Sequence, residues 1–456
     1  MFSPTPLALD DLRFLKKLTS QGQREGQIIS FSQKIALTDP LGVLENIVQD
    51  YPLYFYWENP RRQETVLSYG ITASLTVDGS NRFNKAQEFF DFCSRNIIKI
   101  TNRIKAEPRI FCSFTFFDKC DSFASPFPAA TLFLPQFQLI KRQQETILTT
   151  NFLLDSSLDI NNFLSYTPPL NLYSKIRERQ PRKRVFREAQ FYPSYNFKNA
   201  VSSALKSIES QDFSKIVLAH ALDVVSPDRF EVISCLENLR DRYPDCQIFA
   251  LGNSQGYHFL GASPERLINI ENQQLLTDAL AGSAPRGKNT AEDVFLGSKL
   301  LGNEKERREH QAVSTFISQR LTQLGLKPQH SPLKLLKLSN IQHLWTPIYA
   351  QLPKDINPLE IVAQLHPTPA VAGVPIDVAC EQIRHYETFD RCLYAAPLGW
   401  IDFQGSSEFI VGIRSALIKD NQARLYAGAG IVAGSDPDRE LMEIQLKFQA
   451  MLRALF

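Results

Sequence analysis

The chain has 456 residues, a formal net charge of +2, 43% hydrophobic and 21% charged residues, which describes an ordinary globular protein with room for one large core or two to three modest domains. So balanced a charge implies no nucleic-acid partner. Seven scattered cysteines with no Cys-x-x-Cys pair argue against a disulfide framework or structural zinc, and for a reducing compartment.

No stretch approaches the roughly 18 apolar residues of a membrane span. The first residues, with Asp10 and Asp11 among them, fit neither a signal nor a transit peptide, so a cytoplasmic protein with no membrane partner is expected. In chain order, residues 1–150 read as strands between turn signals. The aromatic run 51–57 predicts a strand closed by a turn at Glu58-Asn59-Pro60, and the β-branched run 66–77 predicts one strand with a bulge at Gly70. A helix over 84–98 and strands over 109–117, 130–135 and 137–142 follow. Phe is abundant, at 32 residues, and reads as core. Between 155 and 188 the patterning weakens, and the basic run Gln180-Pro-Arg-Lys-Arg-Val185 reads as a solvated connection rather than a polyanion patch. Beyond it, helices are predicted over 195–210 (capped by Ser194), 231–242, 291–324, 358–365 and 377–386. Strands are predicted over 216–225, 247–251, 258–261, 340–349, 398–401, 409–418 and 424–429. No G-x-G-x-x-G lies between a strand and a helix, so a dinucleotide site is not indicated.

The stretch 427–447 is the most informative. A small-residue strand end, Ala427-Gly-Ala-Gly-Ile-Val432, leads through a loop into a helix that Ser435 or Asp436 can cap, with Pro437 at its first position. Glu440, Glu443 and Lys447 then share one helical face. Glu306 and Glu309 repeat the carboxylate spacing on the 291–324 helix. Either these are charged, solvated faces with local ion pairs, or the carboxylates converge on a hard cation such as Mg²⁺.

Other residues carry the same two-sided reading. Lys215 opens an apolar strand, where lysine is ordinarily a snorkelling edge residue but in a pocket becomes a general base. Glu265 follows a strand end and Pro264: a solvated turn acid, or a general acid if it faces a cleft. The segment Ala281-Gly-Ser-Ala-Pro-Arg-Gly287 offers backbone amides and a hydroxyl to an anion. Arg414 reads as mid-strand and needs an anion if it points inward. His310, His343 and His366 lack metal-ligand spacing, and core or supporting roles suit them.

Taken together these segments resemble the chorismate-utilising enzymes: isochorismate and salicylate synthases and the large subunits of anthranilate and aminodeoxychorismate synthases. The resemblance is carried by Ser214-Lys-Ile-Val-Leu-Ala219, Phe259-Leu-Gly-Ala-Ser-Pro-Glu265, Ala281-Gly-Ser283, Glu304-Lys-Glu-Arg-Arg-Glu-His310, Gln342-His-Leu344, His366-Pro-Thr-Pro-Ala-Val-Ala-Gly373, Gly412-Ile-Arg414 and Ala427-Gly-Ala-Gly-Ile431. It implies an α+β fold of two large, mostly antiparallel sheets packed face to face with helices outside. Residues 1–185 would be the variable N-terminal part of that fold, and 190–456 the chorismate-binding catalytic region. It further implies that Lys215 activates water for attack at C2 of chorismate and that Glu265 protonates the departing C4 hydroxyl. Glu309 and Glu443 would ligate Mg²⁺, with Glu306 and Glu440 close by. Arg414, Tyr394 and the backbone at Gly428 would bind the pyruvyl carboxylate, and Lys447 would lie near the metal-bound carboxylate. Gly282, Ser283, His343, Ala370, Val371 and Gly430 complete the implied substrate contacts.

Within the family, Lys215 argues for water rather than ammonia as nucleophile. Ala281 stands where aminodeoxychorismate synthases often carry a lysine, and Ala370 where salicylate synthases tend to carry threonine. Ala370-Val371 resembles the isochorismate synthases, and Phe55-Tyr-Trp57 their menaquinone and plant phylloquinone types. The expectation is an Mg²⁺-dependent isochorismate synthase, monomeric, with chorismate and isochorismate as ligands and no glutaminase subunit. The alternatives are a salicylate synthase, an aminating enzyme, or a non-catalytic chorismate-binding homologue.

Overall fold

Two β-sheets carry the chain in a computed structural model that describes residues 26–456 except 52, 101–103, 105, 120–124, 155–189, 194–196, 340 and 354–355. Among the described residues the larger sheet has 13 strands and the smaller ten. The run of the larger sheet that bears on function sets Lys215–Val225, Gln422–Val432, Ser415–Lys419, His258–Ser263, Gln247–Gly252 and Tyr54–Asn59 side by side. The corresponding run of the smaller sheet is Ile341–Gln351, Gln274–Pro285, Arg266–Glu271, Ser407–Val411, Pro397–Asp402 and Arg109–Phe114. These neighbours are all antiparallel. Early strands thus pair directly with late ones: Tyr54–Asn59 with Gln247–Gly252, and Arg109–Phe114 with Pro397–Asp402.

The sheets face each other across an aromatic core. Phe55 of the larger sheet meets Phe111 of the smaller with ring centroids 5.0 Å apart, and Trp57 and Trp400 are buried nearby. Each such burial contributes roughly 1.5–3 kcal/mol relative to exposure. The Arg109 guanidinium crosses this layer, making two bonds to Glu64 at 2.8 and 3.1 Å and lying 3.6 Å over the Trp400 ring, so neither of these two charges is buried alone.

Helices begin where a short polar side chain precedes proline. Asp39 caps Pro40–Ile47, Asn357 caps Pro358–Leu365, and Asp436 caps Pro437–Leu455 by accepting from the Arg439 amide. Asp436, not Ser435, is the cap; the Ser435 hydroxyl instead accepts from the Val432 amide at 3.2 Å.

Three predicted runs are divided. The 291–324 helix is two helices, Thr290–Gly302 and Glu304–Gln323, because Asn303 adopts an extended backbone and caps the second by accepting from Glu306 N–H. The 66–77 strand is two strands in different sheets, Glu64–Tyr69 and Ala73–Val77. Gly70 turns that corner at φ +69°, where a Cβ would sit 2.9 Å from the Gln136 Cβ, so it is not a bulge. The 409–418 strand likewise divides into Ser407–Val411 and Ser415–Lys419, and Arg414 is at the corner rather than mid-strand. Both sheets bury an inner face, so apolar alternation continues across a change of sheet and conceals it. The basic run 180–185 and the Ser194 cap lie outside the described residues. Among the described residues no helix is long and apolar enough to cross a membrane.

Candidate active site

Two neighbouring crossovers between the sheets form the centre of the site. One passes from Ser263 to Arg266 through Pro264 and Glu265; the other passes from Val411 to Ser415 through Gly412, Ile413 and Arg414. They run antiparallel and are stitched together. Val411 N–H donates to Glu265 O at 3.1 Å, Ala262 N–H donates to Arg414 O at 3.1 Å, and the Ser263 hydroxyl donates to Val411 O at 2.7 Å. A Cβ at Gly261 would lie 2.5 Å from Arg414 O, so only glycine allows this approach. Arg414 holds φ +51°, a conformation that costs a non-glycine residue about 1–2 kcal/mol. It is 8% exposed, and among the described residues it makes no ion pair or side-chain hydrogen bond. Burial pushes its pKa down. A buried cation that no carboxylate meets at ion-pair distance is matched to a ligand that brings one.

Lys215 is 3% exposed, so it is not a snorkelling edge residue; its Nζ lies 2.7 Å from Glu309 Oε1. Its strand pairs with Gln422–Val432 in a register that sets Val217 opposite Gly430 and Ala219 opposite Gly428. A Cβ at Gly430 would come 2.8 Å from Glu309 Oε1, and one at Gly428 would come 2.8 Å from the Tyr394 hydroxyl. The alternating glycines leave room for these functional side chains.

The helices Glu304–Gln323 and Pro437–Leu455 bring their first turns to the same place. Lys447 Nζ bonds Glu443 Oε1 at 2.7 Å and Gly428 O at 2.6 Å. Lys305 Nζ joins the two helices, 3.3 Å from the Ser435 hydroxyl and 3.9 Å from Glu440 Oε1. A β-bulge at Gly282, φ +77°, turns the Ser283 amide toward Glu306 Oε2 at 3.2 Å. The four glutamates are therefore gathered and not solvated on separate faces. Yet among the described residues no three carboxylate, imidazole or thiol groups close into a ready ion site; instead Glu309 is held by Lys215 and Glu443 by Lys447.

Electrostatics separate the acids. Burial, then the charge of Asp278, pushes Glu265 up to about 8 against the opposing pull of Lys215, Lys447 and Arg414. Burial and Glu443 push Glu440 up to about 7, and burial and Glu309 raise Glu306. Burial also acts upward on Glu443, but the adjoining Lys447 ammonium brings it below the usual carboxylate value. His343 is pushed down to about 3 by burial and by Arg414 and Lys447, so it is a neutral imidazole; its Nδ1 lies 2.9 Å from the Ser283 hydroxyl.

A cleft of about 360 Å³ connects these groups. Glu265, the four glutamates, Gly282, Ser283, His343, Ala370, Val371, Tyr394, Arg414, Gly428, Gly430 and Lys447 line it, and Lys215 touches it through Glu309. His310 and His366 are not among the lining residues; they bond Thr346 and the Phe116 carbonyl. Lys305, Arg439 and Tyr426 also line the cleft and were not expected there. Tyr426 stacks on Tyr394 at 5.2 Å, and its position two residues before Gly428 on the same strand face would have been a signal. Asp278, the buried acid acting on Glu265, left no signal in the sequence.

Residues 13–456 match the family described as chorismate binding enzyme. The chain belongs to the chorismate-binding enzymes. Among members of this family it is 31% identical over 442 residues to isochorismate synthase MenF of Bacillus subtilis (strain 168), covering 94% of this chain and 93% of that one. It is 32% identical over 445 residues to the salicylate biosynthesis isochorismate synthase of Pseudomonas aeruginosa, covering 94% and 90%. The structure of MenF, the menaquinone-specific isochorismate synthase from Escherichia coli, superposes with a TM-score of 0.80 at 27% identity, covering 98% of this chain and 99% of that one.

Proposed function

We propose that this chorismate-binding enzyme is an isochorismate synthase, in which Lys215 and Glu265 carry the proton transfers. Glu265 is the observation that carries this reading. A buried carboxyl held up to about 8 is protonated at neutral pH and ready to act as an acid, in the same cleft that Lys215 touches through Glu309. In the forward direction Lys215, in its uncharged amine form, takes a proton from water as the water oxygen bonds C2 of chorismate. The ring double bonds shift, the C4–O bond breaks, and Glu265 delivers its proton so that the C4 hydroxyl leaves as water. The roles exchange in reverse.

Mg²⁺ suits the residues present. Burial together with Glu309 and Glu443 pushes Glu306 up, and burial together with Glu443 pushes Glu440 up; a hard divalent cation relieves that repulsion, and carboxylate oxygens are the donors it prefers. Glu309 and Glu443 would hold it, with Glu306 and Glu440 close by, and when bound it supplies positive charge to the ring carboxylate. Arg414 and Tyr394 take the pyruvyl carboxylate, Lys447 balances the acids beside the cation, and the bulge at Gly282 and Ser283 with His343 closes the far wall. Water as nucleophile leaves no role for an ammonia-supplying glutaminase. The enzyme works as a cytoplasmic monomer serving quinone synthesis, the purpose named for its Escherichia coli structural neighbour.

The deciding experiment incubates the protein with chorismate and Mg²⁺, without ammonia, and resolves the products. Isochorismate alone is expected. Salicylate with pyruvate would replace this reading with a salicylate synthase, and no turnover would leave a binding protein.

A further inference from the structure

We propose that Arg391 is a positioning residue of this site: its guanidinium fixes the strand that begins at Lys215 against the turn that carries Val371, while its backbone carbonyl holds the turn that carries Tyr394. The proposal rests on Lys215 acting as the base assigned above.

Arg391 is 1% exposed, and its guanidinium makes four hydrogen bonds. Its Nη2 donates to Val217 O at 2.7 Å, two residues from Lys215 on the same strand. Its Nη1 donates to Val371 O at 2.8 Å, in the turn whose Ala370 and Val371 line the cleft. Its carbonyl accepts from the Tyr394 amide at 2.8 Å, and its guanidinium lies 5.9 Å from the Tyr394 ring centroid and 4.4 Å from that of Phe116. Tyr394 stacks in turn on Tyr426, which lines the cleft. One planar, rigid cation therefore bridges two segments, 174 and 20 residues away in sequence at its two carbonyl contacts.

Glu387 holds the guanidinium in that plane. Its Oε2 accepts from Arg391 Nε at 2.8 Å, and its Oε1 accepts both Arg391 Nη2 at 2.5 Å and the Ala219 amide at 2.7 Å. The carboxylate thus ties the arginine to the Lys215 strand a second time, opposite Gly428. Reacting groups held a fraction of an ångström out of place lose rate rather than affinity, because substrate still meets its charged partners. Those partners, Arg414 and Lys447, sit on other segments. The clamp therefore belongs to turnover more than to binding.

The test compares wild type, Arg391→Gln, Arg391→Lys and Glu387→Gln for kcat and KM with chorismate and Mg²⁺, alongside thermal melting. Arg391→Gln should lower kcat at least 30-fold and raise KM no more than threefold. Arg391→Lys, which still offers charged donors to the two carbonyls, should recover at least fivefold of that loss. Glu387→Gln has the native shape but only one acceptor oxygen for three donors. It keeps the assay decisive if the arginine variants do not fold, and its kcat should fall at least fivefold with KM within twofold. A folded variant set with wild-type kcat, or with the whole loss in KM, overturns the clamp alone. A wild type that makes no isochorismate overturns the assignment of Lys215 and the clamp with it.

Discussion

Glu265 and Arg414 lie on adjacent crossovers between the two sheets, with Val411, three residues before Arg414, donating its amide to the Glu265 carbonyl at 3.1 Å. The proposed proton donor and the proposed anion-binding cation are thereby placed by backbone hydrogen bonds, not by mobile loops. Arg414 accepts a left-handed backbone and a buried, unpaired charge to be there. Arg414→Gly should remove both costs and add only the chain entropy of glycine, about 0.5–1 kcal/mol. Urea denaturation should find stability within about 1 kcal/mol of wild type, while turnover falls more than 100-fold. A loss of several kcal/mol would contradict the strain argument.

The raised pKa of Glu265 fixes the sign of a pH effect. Its acid form is needed in the forward direction, so conversion of chorismate should hold through neutrality and decline as pH rises through about 8. Asp278, kept in place by the Trp345 indole N–H at 2.9 Å, adds to that raised value. Asp278→Asn removes a negative charge and should move the alkaline decline to lower pH. A pH–rate profile measures both, and an unmoved limb in Asp278→Asn removes that residue from the account.

Gly430 gives a prediction in which fold and activity part. An alanine methyl would meet the end of the Glu309 side chain, which can swing away at little cost, so melting should shift by no more than a few degrees. The displaced carboxylate would leave both Lys215 and the proposed cation misplaced. Activity should fall at least 50-fold at saturating chorismate.

Mg²⁺ should raise the melting temperature of the wild-type protein even without substrate, since ligand at about 100 times its Kd adds about 2.7 kcal/mol. Glu309→Gln and Glu443→Gln should lose most of that gain, and chelation should stop wild-type turnover reversibly. An equal Mg²⁺ shift in all three proteins would place the cation elsewhere.

Lys215→Ala should abolish turnover but retain Mg²⁺-dependent binding of chorismate, followed by calorimetry. Wild-type rate in this variant would falsify the assignment of the base.

The parts of the site that sequence made legible are those with a local cause. Asp436-Pro437 announces a helix start because a capping oxygen and a fixed φ act within one turn. The spacing of Glu440, Glu443 and Lys447 puts them on one face for the same reason. The ordered motifs from Lys215 to Lys447 were sufficient to bring the chain to its family. The sequence could not choose between solvated and gathered carboxylates, because that depends on partners such as Lys215 and Glu309, 94 residues apart. Nor could it show that the 66–77 and 409–418 runs change sheet, since apolar alternation records that a face is buried and not which sheet buries it. Local chemistry and ordered motifs determined the family and most of the site's inventory, but not Lys305, Arg439, Tyr426 or Asp278. Tertiary packing alone decided that Glu265 is pushed up to about 8, that Arg414 meets no carboxylate at ion-pair distance, and that Arg391 stands behind the strand of Lys215, because burial and long-range hydrogen bonds exist only once both sheets are assembled.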